Sequence, residues 1–420
     1  MLSHKGEHVM RQEKSDVVII GAGPSGAVAA GLLRRAGRAV TVLEKETFPR
    51  FIIGESLLPQ SMEYIEAAGM LQDVVEAGFQ FKNGAAFACG DKRAHFDFRK
   101  KFSEGWGTTY QVQRGPFDKV LADAASRMGA DIRYCHEVTA VELEGAKPVV
   151  TVRSADGETY RLEGSFLLDA SGYGRVLPKL LDWELPSMLP VRQAIFTHIE
   201  DRIAQNPGEA FDRDKILISV PPDETDIWFW LIPFSNGRSS FGVVGRREQF
   251  DARDNKAQLL DRVARTPNLA KLLKNAVWDT PVRNIVGYSA NVKALYGPHF
   301  ALLGNTTEFL DPVFSSGVTI AFKSSDLAVK ALLKQLKGEK VDWDKEYAKP
   351  LMVGVETFRA FVTSWYDRRL QDIIFHAGKN EEIECMISSV LAGYAWDERN
   401  PFVAKPGRRL ASVQAACEMV

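Results

Sequence analysis

A glycine-rich hexapeptide, Gly21-Ala-Gly-Pro-Ser-Gly26, is the segment of this sequence best suited to bind a phosphorylated ligand. It follows the apolar run "DVVII" and precedes a run rich in alanine and leucine, which predicts a strand, a tight turn and a helix. The first glycine permits the bend, the second lets the backbone approach a pyrophosphate, and the third allows close packing of helix on strand. The helix N-terminus offers free N–H groups to the phosphates. We therefore expect a dinucleotide to be bound by Gly21, Gly23, Pro24, Ser25 and Gly26.

A carboxylate at the end of the next predicted strand supports this interpretation. Glu44 ends the run "AVTVLE", 18 residues after Gly26. A carboxylate at that point can accept hydrogen bonds from both hydroxyls of an adenosine ribose. We expect Glu44 and the adjacent Lys45 to contact the cofactor. The glycine fingerprint alone fits either NAD or FAD.

The elements that must position these residues predict a mixed α/β fold. The strand, helix and second strand form a βαβ unit, which indicates a Rossmann-type domain with a parallel sheet. The runs "SFLLDASG" and "HFALLGN" add later core strands. Residues 193–244 are rich in β-type residues and predict a separate antiparallel sheet, and helical periods dominate from Val341 onward.

These patterns divide the chain into regions. We expect a disordered N-terminal tail at 1–14, a discontinuous dinucleotide-binding domain at 15–185 and 285–340, an antiparallel-sheet substrate domain at 186–284, and a C-terminal helical segment at 341–420. Residues 56–110 are expected to lie partly in the substrate domain. Residues after about Asn400 are expected to form a loosely packed tail.

Composition and charge exclude several classes of protein. The formal net charge of the 420 residues is −1, so no overall positive field favours nucleic acid. The four cysteines are far apart, which fits free thiols in a reducing cytoplasm, and no histidine–cysteine spacing predicts a metal site. The N-terminus has no apolar signal segment, and no apolar run reaches the roughly 18 residues of a membrane helix. We expect a cytoplasmic protein with no transmembrane segment.

Two later segments resemble the flavoprotein monooxygenase superfamily of the para-hydroxybenzoate hydroxylase type. They are "DASG" at 169–172 and "LLGNTTEFLDPVFSSGVTIAF" at 302–322. The resemblance implies that the Rossmann-type domain binds FAD, with Arg114 near the flavin and Asp169 close to the cofactor. Asn305 occupies the position of the family aspartate at the ribityl chain. The resemblance also implies that the cofactor is contacted by Gly304, Asn305, Pro312, Gly317 and Val318.

Four motifs narrow the resemblance to flavin-dependent halogenases. "WFWLIP" at 228–233 is similar to their WxWxIP pattern, and "FLDPVFSSG" at 309–317 to a second pattern. "FPRFIIGESLLP" at 48–59 resembles a segment of the halogenases that act on phenols and pyrroles. "FKNGAAF" at 81–87 resembles the stretch with their catalytic lysine, which falls on Lys82. The tryptophan-acting branch has a glutamate where this chain has Phe314, so the phenol and pyrrole branch is favoured.

The resemblance implies a specific chemistry. Reduced FAD and dioxygen give a C4a-hydroperoxide, which oxidises chloride or bromide to hypohalous acid, and Lys82 holds the electrophilic halogen for an electron-rich arene. The backbone of Ser315, Ser316 and Gly317 is expected to hold the halide, because a glycine-containing loop at a helix N-terminus binds anions. Trp228, Trp230, Pro233 and Phe314 would line the passage between flavin and substrate. Because no second GxGxxG occurs, a separate flavin reductase is expected as a partner. The aromatic substrate is either a free small molecule or tethered to a carrier protein.

Other interpretations of the same residues remain open. Lys82 is one of 53 lysines and arginines, so it could instead be an ordinary surface lysine. Ser315 and Ser316 could instead cap a helix. Glu55 in "GESLLP" could instead be a carboxylate with a purely structural role. The chain as a whole has the alternatives of an aromatic monooxygenase or hydroxylase that uses NAD(P)H, and of a flavin-dependent reductase or dehydrogenase of the geranylgeranyl-reductase type.

Overall fold

The computed structural model describes residues 10–206, 211–378 and 380–418. In these residues the strands are β1 Gln12–Ile20, β2 Val40–Glu44, β3 Gln80–Lys82, β4 Gly84–Cys89, β5 Lys92–Asp97, β6 Thr109–Gln111, β7 Asp131–Tyr134, β8 Glu137–Glu142, β9 Val149–Arg153, β10 Thr159–Asp169, β11 Glu184–Pro186, β12 Arg192–Glu200, β13 Lys215–Val220, β14 Trp228–Pro233, β15 Arg238–Arg246, β16 Arg283–Val286, β17 Ala290–Val292, β18 Tyr296–Gly297 and β19 Phe300–Leu302.

The helices connect these strands and form most of the C-terminal part of the chain. They are α1 Pro24–Arg35, α2 Ser61–Ala67, α3 Leu71–Glu76, α4 Arg114–Arg127, α5 Val176–Leu180, α6 Asn255–Ala264, α7 Pro267–Leu272, α8 Ser316–Leu336, α9 Lys349–Tyr366, α10 Arg369–Phe375, α11 Glu381–Leu391, α12 Pro401–Ala404 and α13 Pro406–Glu418. Short 3₁₀ turns at Gly304–Thr306 and Pro312–Phe314 precede α8.

A parallel sheet forms the first layer and confirms the predicted fold class. Its strand order is β19-β10-β1-β2-β7, all parallel, with β18 antiparallel at one edge and the meander β8-β9-β10 extending it. The apolar residues of β1 and β2 are buried on both faces, because helices α1, α4 and α8 cover one face and β8 and β9 pack on the other. Because β1, β2 and β10 are parallel, their carboxyl ends lie at the same edge of the sheet, where ligands of such folds bind.

The second layer is a seven-stranded sheet of order β16-β12-β15-β14-β13-β4-β5, antiparallel except between β13 and β4. Two segments from outside residues 186–284 belong to it. Strands β4 and β5 come from residues 84–97, and β16 continues to Val286 because it pairs with β12. Trp228 and Trp230 point to one face of this sheet, while Phe229 and Leu231 point to the other and pack in a separate core with α6 and α7.

Both chain ends differ from the sequence-based expectation. Residues 1–9 of the predicted tail lie outside the described residues, but residues 12–14 belong to β1, where Gln12 pairs with Arg161 of β10. The expectation of a loose tail after Asn400 is wrong. Helices α12 and α13 pack on α9 and α10 through Phe402 and Leu410, which are fully buried. Widely spaced apolar residues in a polar segment conceal such packing from a sequence reading.

Candidate active site

The glycine-rich turn between β1 and α1 is shaped by close backbone contacts. Gly21 has φ +94°, and a Cβ there would lie 2.6 Å from the carbonyl oxygen of Ala170. A Cβ on Gly26 would lie 1.9 Å from the carbonyl oxygen of Gly21. Because neither position has room for a side chain, the turn keeps its backbone N–H groups near one edge of the sheet. Gly21, Gly23, Pro24 and Ser25 line the adjoining cavity, whereas Gly26 lies behind them.

Glu44 is buried at the end of β2 beside this turn. Its Oε2 accepts a hydrogen bond from the backbone N–H of Ala22 at 3.0 Å, and its Oε1 accepts one from that of Glu46 at 3.0 Å. The guanidinium of Arg50 lies 3.8 Å from Oε2. These contacts orient the carboxylate at the cavity wall, where Lys45, Glu46 and Arg50 also lie. Arg50 was not among the residues predicted from sequence, because its contacts join segments distant in the chain.

One cavity of about 690 Å³ extends from this turn to the second sheet. At one end it is lined by Glu44, His136 and Val138, and at the other by apolar side chains of β13 and β14, namely Ile216, Ile218, Trp228, Trp230 and Ile232. The polar end suits a nucleotide and the apolar end suits an aromatic ring. The narrow glycine turn and the buried carboxylate fit an FAD molecule bound along this cavity.

Arg114 lies on the cavity wall at the start of α4. Its guanidinium makes a two-point ion pair with Asp118, with Nε 2.8 Å from Oδ1 and Nη2 3.1 Å from Oδ2. Its Nη1 donates to the carbonyl of Ile53 at 3.0 Å. These contacts fix a buried positive charge at the cavity and hold the 48–59 segment against α4.

Asp169 supports the wall from behind. It is fully buried, and its carboxylate accepts hydrogen bonds from the backbone N–H groups of Ser171 at 2.9 Å and Leu177 at 2.7 Å. Burial raises the pKa of this carboxyl group. The residues of this segment that line the cavity are Ala170, Ser171, Gly172, Tyr173 and Gly174. Asp169 was predicted to contact the cofactor, but it lies one layer behind the cavity surface.

The loop before α8 brings together most of the residues expected to hold the cofactor and the halide. Of the expected residues, the wall contains Asn305, Pro312, Ser315, Gly317 and Val318, and Phe309 and Val313 lie beside them. Ser315 has φ +56° and directly precedes the 21-residue helix α8, so free N–H groups of the first helical turn lie next to the wall. Gly304, with φ +57°, lies behind the wall, where a Cβ would be 3.0 Å from that of Ala321.

Two residues predicted for this loop are not on the cavity wall. Ser316 is buried and is not on the wall. Phe314 packs edge-on against Phe361 and Trp365, with ring centroids 6.2 Å and 5.9 Å away. The 3₁₀ turn at 312–314 ends in the left-handed Ser315, and this reversal turns Phe314 toward α9. Phe314, which was predicted to line the passage to the substrate, is therefore not on the wall of this cavity.

The two tryptophans of β14 form part of the apolar end of the cavity. Their ring centroids are 5.9 Å apart, and both rings are nearly fully buried. Trp230 lies over Gly242 of β15, where a Cβ would come 2.3 Å from the indole, and its Nε1 donates to Ser240 Oγ at 3.0 Å. Pro233 is buried at the end of β14 and does not line the cavity. Trp228 and Trp230 are thus fixed wall residues.

Lys82 is fully buried at the end of β3. Its Nζ donates to Ser56 Oγ at 2.7 Å and to the carbonyl of Leu57 at 2.7 Å, and it lies 5.4 Å from the ring centroid of Phe98. Burial lowers the pKa of Lys82 to about 7. It is therefore not a surface lysine. Ser56 lines the cavity and Lys82 does not, so the amine lies one residue away from the cavity space.

A carboxylate–imidazole pair lies near this point. Glu55 lines the cavity, and its Oε1 is 2.6 Å from Nε2 of His198 on β12. The imidazole lies between the rings of Phe51 and Phe234, each with its centroid 5.2 Å away. No sequence pattern pointed to His198, because its partner is 143 residues earlier in the chain.

Within the described ranges, no cluster of histidine, cysteine and acidic side chains is arranged to hold a metal ion. Over the same ranges, no helix is long and apolar enough to cross a membrane.

Comparison with known proteins agrees with this cavity. Residues 14–288 match the family model described as FAD binding domain. The 1H-pyrrole-2-carbonyl-[peptidyl-carrier protein] chlorinase of Pseudomonas fluorescens is 28% identical over 382 residues, which is 85% of this chain and 84% of that protein. The tryptophan 2-halogenase of Chondromyces crocatus is 31% identical over 331 residues, and the alignment covers 77% of this chain and 62% of that longer protein.

A solved structure matches nearly the whole chain. It is a flavoprotein/dehydrogenase from Cytophaga hutchinsonii, 42% identical, with a TM-score of 0.92 and coverage of 97% of this chain and 99% of that one. The family model covers more than half of the chain and agrees with the cavity between the two sheets. The chain belongs to the FAD binding domain family.

Proposed function

We propose that this protein is an FAD-dependent enzyme that puts chloride or bromide on an electron-rich aromatic ring of the phenol or pyrrole type. The observation that carries the proposal is the single cavity that joins the glycine turn and Glu44 to the apolar pocket of Trp228 and Trp230, past the loop at Ser315. A nucleotide-binding end, an anion-binding loop and an aromatic pocket in one space are the parts that such a reaction needs.

The residues that would hold FAD are those of the polar end. The backbone of Gly21, Gly23 and Ser25 would meet the pyrophosphate at the N-terminus of α1. Glu44 would accept the ribose hydroxyls, and Arg114 and Asn305 would lie beside the flavin part. When bound in its reduced form, FAD would supply the two electrons that reduce dioxygen to the peroxide level, at which it can take two electrons from the halide.

The halide would be held by the backbone of Ser315 and Gly317. The left-handed conformation of Ser315 and the free N–H groups at the start of α8 favour an anion at this point. Ser316 is proposed to contribute through its backbone N–H only, because its side chain is buried away from the cavity.

Lys82 would act on the electrophilic halogen that results, through Ser56, which lies between its amine and the cavity. Its burial and lowered pKa keep both the ammonium and the neutral amine accessible near neutral pH. The apolar walls formed by Ile216, Ile218 and Ile232 exclude water, which favours transfer of the halogen to the ring over loss to solvent.

The partners follow from the same proposal. A separate flavin reductase in the cytoplasm would supply reduced FAD. The pyrrole chlorinase acts on a pyrrole bound to a carrier protein, and the similarity to it over 85% of this chain supports a substrate of that class, free or tethered.

A direct assay tests the proposal. The protein is given reduced FAD by an unrelated flavin reductase, together with chloride or bromide and a panel of phenols and pyrroles, and products are examined by mass spectrometry. We expect a halogen isotope pattern in the product, lost in Lys82→Ala. A hydroxylated product, or oxidation of NADPH without a partner reductase, would support the monooxygenase instead.

A second candidate, a flavin-dependent dehydrogenase or reductase, is favoured by one observation. The Cytophaga structure named a flavoprotein/dehydrogenase is 42% identical over nearly the whole chain. In that case oxidised FAD would be bleached anaerobically by the substrate itself, with no halide required. Anaerobic absorbance at the flavin bands, with and without halide, separates the two candidates.

A further inference from the structure

Ser56 separates Lys82 from the cavity. Lys82 is fully buried and is not on the wall, whereas Ser56 is. The two polar contacts of Lys82 Nζ are Ser56 Oγ and the carbonyl of Leu57, each at 2.7 Å. In this conformation, any exchange between the amine and a molecule in the cavity must therefore pass through the hydroxyl of Ser56.

The hydroxyl of Ser56 has a proton to give. A serine hydroxyl has one proton and two lone pairs. One lone pair accepts the hydrogen bond from Lys82, so the proton points elsewhere, and among the described residues no side chain or backbone acceptor bonds to it. Because Ser56 lies at the cavity wall, a bound molecule is the available acceptor.

Lys82 can replace that proton. Burial lowers its pKa to about 7, so it exchanges between ammonium and amine near neutral pH. Several charged groups on the segments packed around it have partners of their own. They are Glu55 with His198, Asp97 with Arg99, and Lys215 with Asp212.

We propose that Ser56 is a catalytic residue whose hydroxyl, held by Lys82, donates its proton to the oxygen of hypohalous acid as the halogen moves to the ring. The inference rests on the proposed function and deepens it. The ring supplies an electron pair for the new carbon–halogen bond, the halogen–oxygen bond breaks, and the oxygen leaves as water with the Ser56 proton. Lys82 returns a proton to Ser56 and becomes a neutral amine. The ring then releases its own proton to solvent, and Lys82 regains one from solvent.

Three variants and a double variant test the relay. We expect Ser56→Ala to slow halogenation in a single turnover by about 100-fold, within the range of general acid catalysis. Ser56→Thr keeps the hydroxyl and is expected to stay within about threefold of wild type, with the same pH profile. Because the two residues act as a unit, Ser56→Ala combined with Lys82→Met is expected to be no slower than Lys82→Met alone.

Controls separate the relay from damage to the fold. Ser388→Ala removes another buried hydroxyl, one that is not on the cavity wall, and is expected to leave the rate unchanged. Oxidised FAD should bind all variants with similar affinity in a fluorescence titration. In FAD-free protein, NMR of labelled lysine should show that Ser56→Ala lowers the pKa of Lys82 further, because the ammonium loses an acceptor.

Each outcome decides the matter. A wild-type rate in Ser56→Ala overturns the inference, as does full additivity of the two single substitutions, while the proposed function stands. If the wild-type protein forms no halogenated product under any condition above, the proposed function fails and the inference fails with it.

Discussion

The indole Nε1 of Trp228 donates a hydrogen bond to Tyr366 Oη at 2.9 Å. Tyr366, at the end of α9, donates in turn to Asp311 Oδ2 at 2.9 Å. Asp311 is buried and its Oδ1 accepts from the backbone N–H of Val313 at 3.0 Å, in the turn that leads to Ser315. A continuous series of hydrogen bonds therefore joins the aromatic wall of the cavity to the loop proposed to bind halide, by way of the C-terminal helices.

Removing the hydroxyl of Tyr366 tests this connection. Tyr366→Phe leaves Trp228 without its acceptor and removes one of the two hydroxyls that donate to Asp311 Oδ2, the other being that of Tyr288, so we expect the free energy of unfolding to fall by about 1–3 kcal/mol. Urea denaturation and tryptophan fluorescence measure the effect. Tyr296→Phe, on a half-buried ring with no hydroxyl bond to the described residues, is the control and should change little. An unchanged denaturation midpoint in Tyr366→Phe would contradict the expectation.

The tight glycine turn predicts a strong effect of one methyl group. In Gly26→Ala the new Cβ would meet the Gly21 carbonyl at 1.9 Å, so the turn must open. We expect a loss of about 1–3 kcal/mol of stability and at least about tenfold weaker FAD binding, measured by thermal unfolding and flavin fluorescence. Gly407→Ala, in α13 with no atom within 4 Å of the new Cβ, should leave both unchanged or slightly raise stability. Equal behaviour of the two variants would refute this account of the turn.

The carboxylate of Glu44 should matter for cofactor affinity. Glu44→Gln keeps the shape but removes the charge that strengthens hydrogen bonds to ribose hydroxyls. We expect the Kd for FAD to rise by about 10-fold to 100-fold, since hydrogen bonds to charged groups contribute about 1.5–3 kcal/mol. Isothermal titration calorimetry gives the value. Glu142→Gln, an exposed carboxylate paired with Arg161 outside the cavity, should bind FAD as wild type does.

The lowered pKa of Lys82 makes stability depend on pH with a definite sign. Its pKa is about 7 in the folded protein and near 10.5 in the unfolded chain, so the unfolded chain binds more protons between these values. Stability therefore rises with pH across that window. Relative to Lys82→Met, wild type should gain about 2 kcal/mol between pH 7 and pH 9, since one pKa unit is worth about 1.4 kcal/mol. Denaturant unfolding at the two pH values measures this difference.

A lysine at the surface provides the comparison for this measurement. Lys337→Met, on an exposed side chain after α8, should show no such change relative to wild type. A constant difference between wild type and Lys82→Met from pH 7 to pH 9 would mean that Lys82 titrates normally in the folded protein.

The parts of the fold that could be predicted are those specified by residues close together in the chain. The strand, glycine turn and helix at the start are set by steric limits within a few residues, and the same holds for the alternation that puts Trp228 and Trp230 on one face. The mixed α/β class followed from the order of such segments. The C-terminal packing did not, because the contacts of Phe402 and Leu410 are made with distant helices.

The sequence predicted which residues belong to the candidate site better than it predicted which of their side chains reach the cavity. Sequence patterns led to Glu44, Lys82 and Ser315, but they did not show which side chains reach the cavity. Phe314 turns away because its neighbour adopts a left-handed conformation, and Asp169 is held behind the wall by two backbone N–H groups. His198 and Tyr366 had no pattern to reveal them.

By itself the sequence determined the family, the nucleotide-binding turn and the order of the two sheets, because each depends on local spacing or on short-range sterics. Only the tertiary structure decided that Lys82 is buried behind Ser56 and that Tyr366 links the tryptophan wall to the loop proposed to bind halide. Both arrangements join segments far apart in the chain, and burial, which lowers the pKa of Lys82, arises only when those segments pack together.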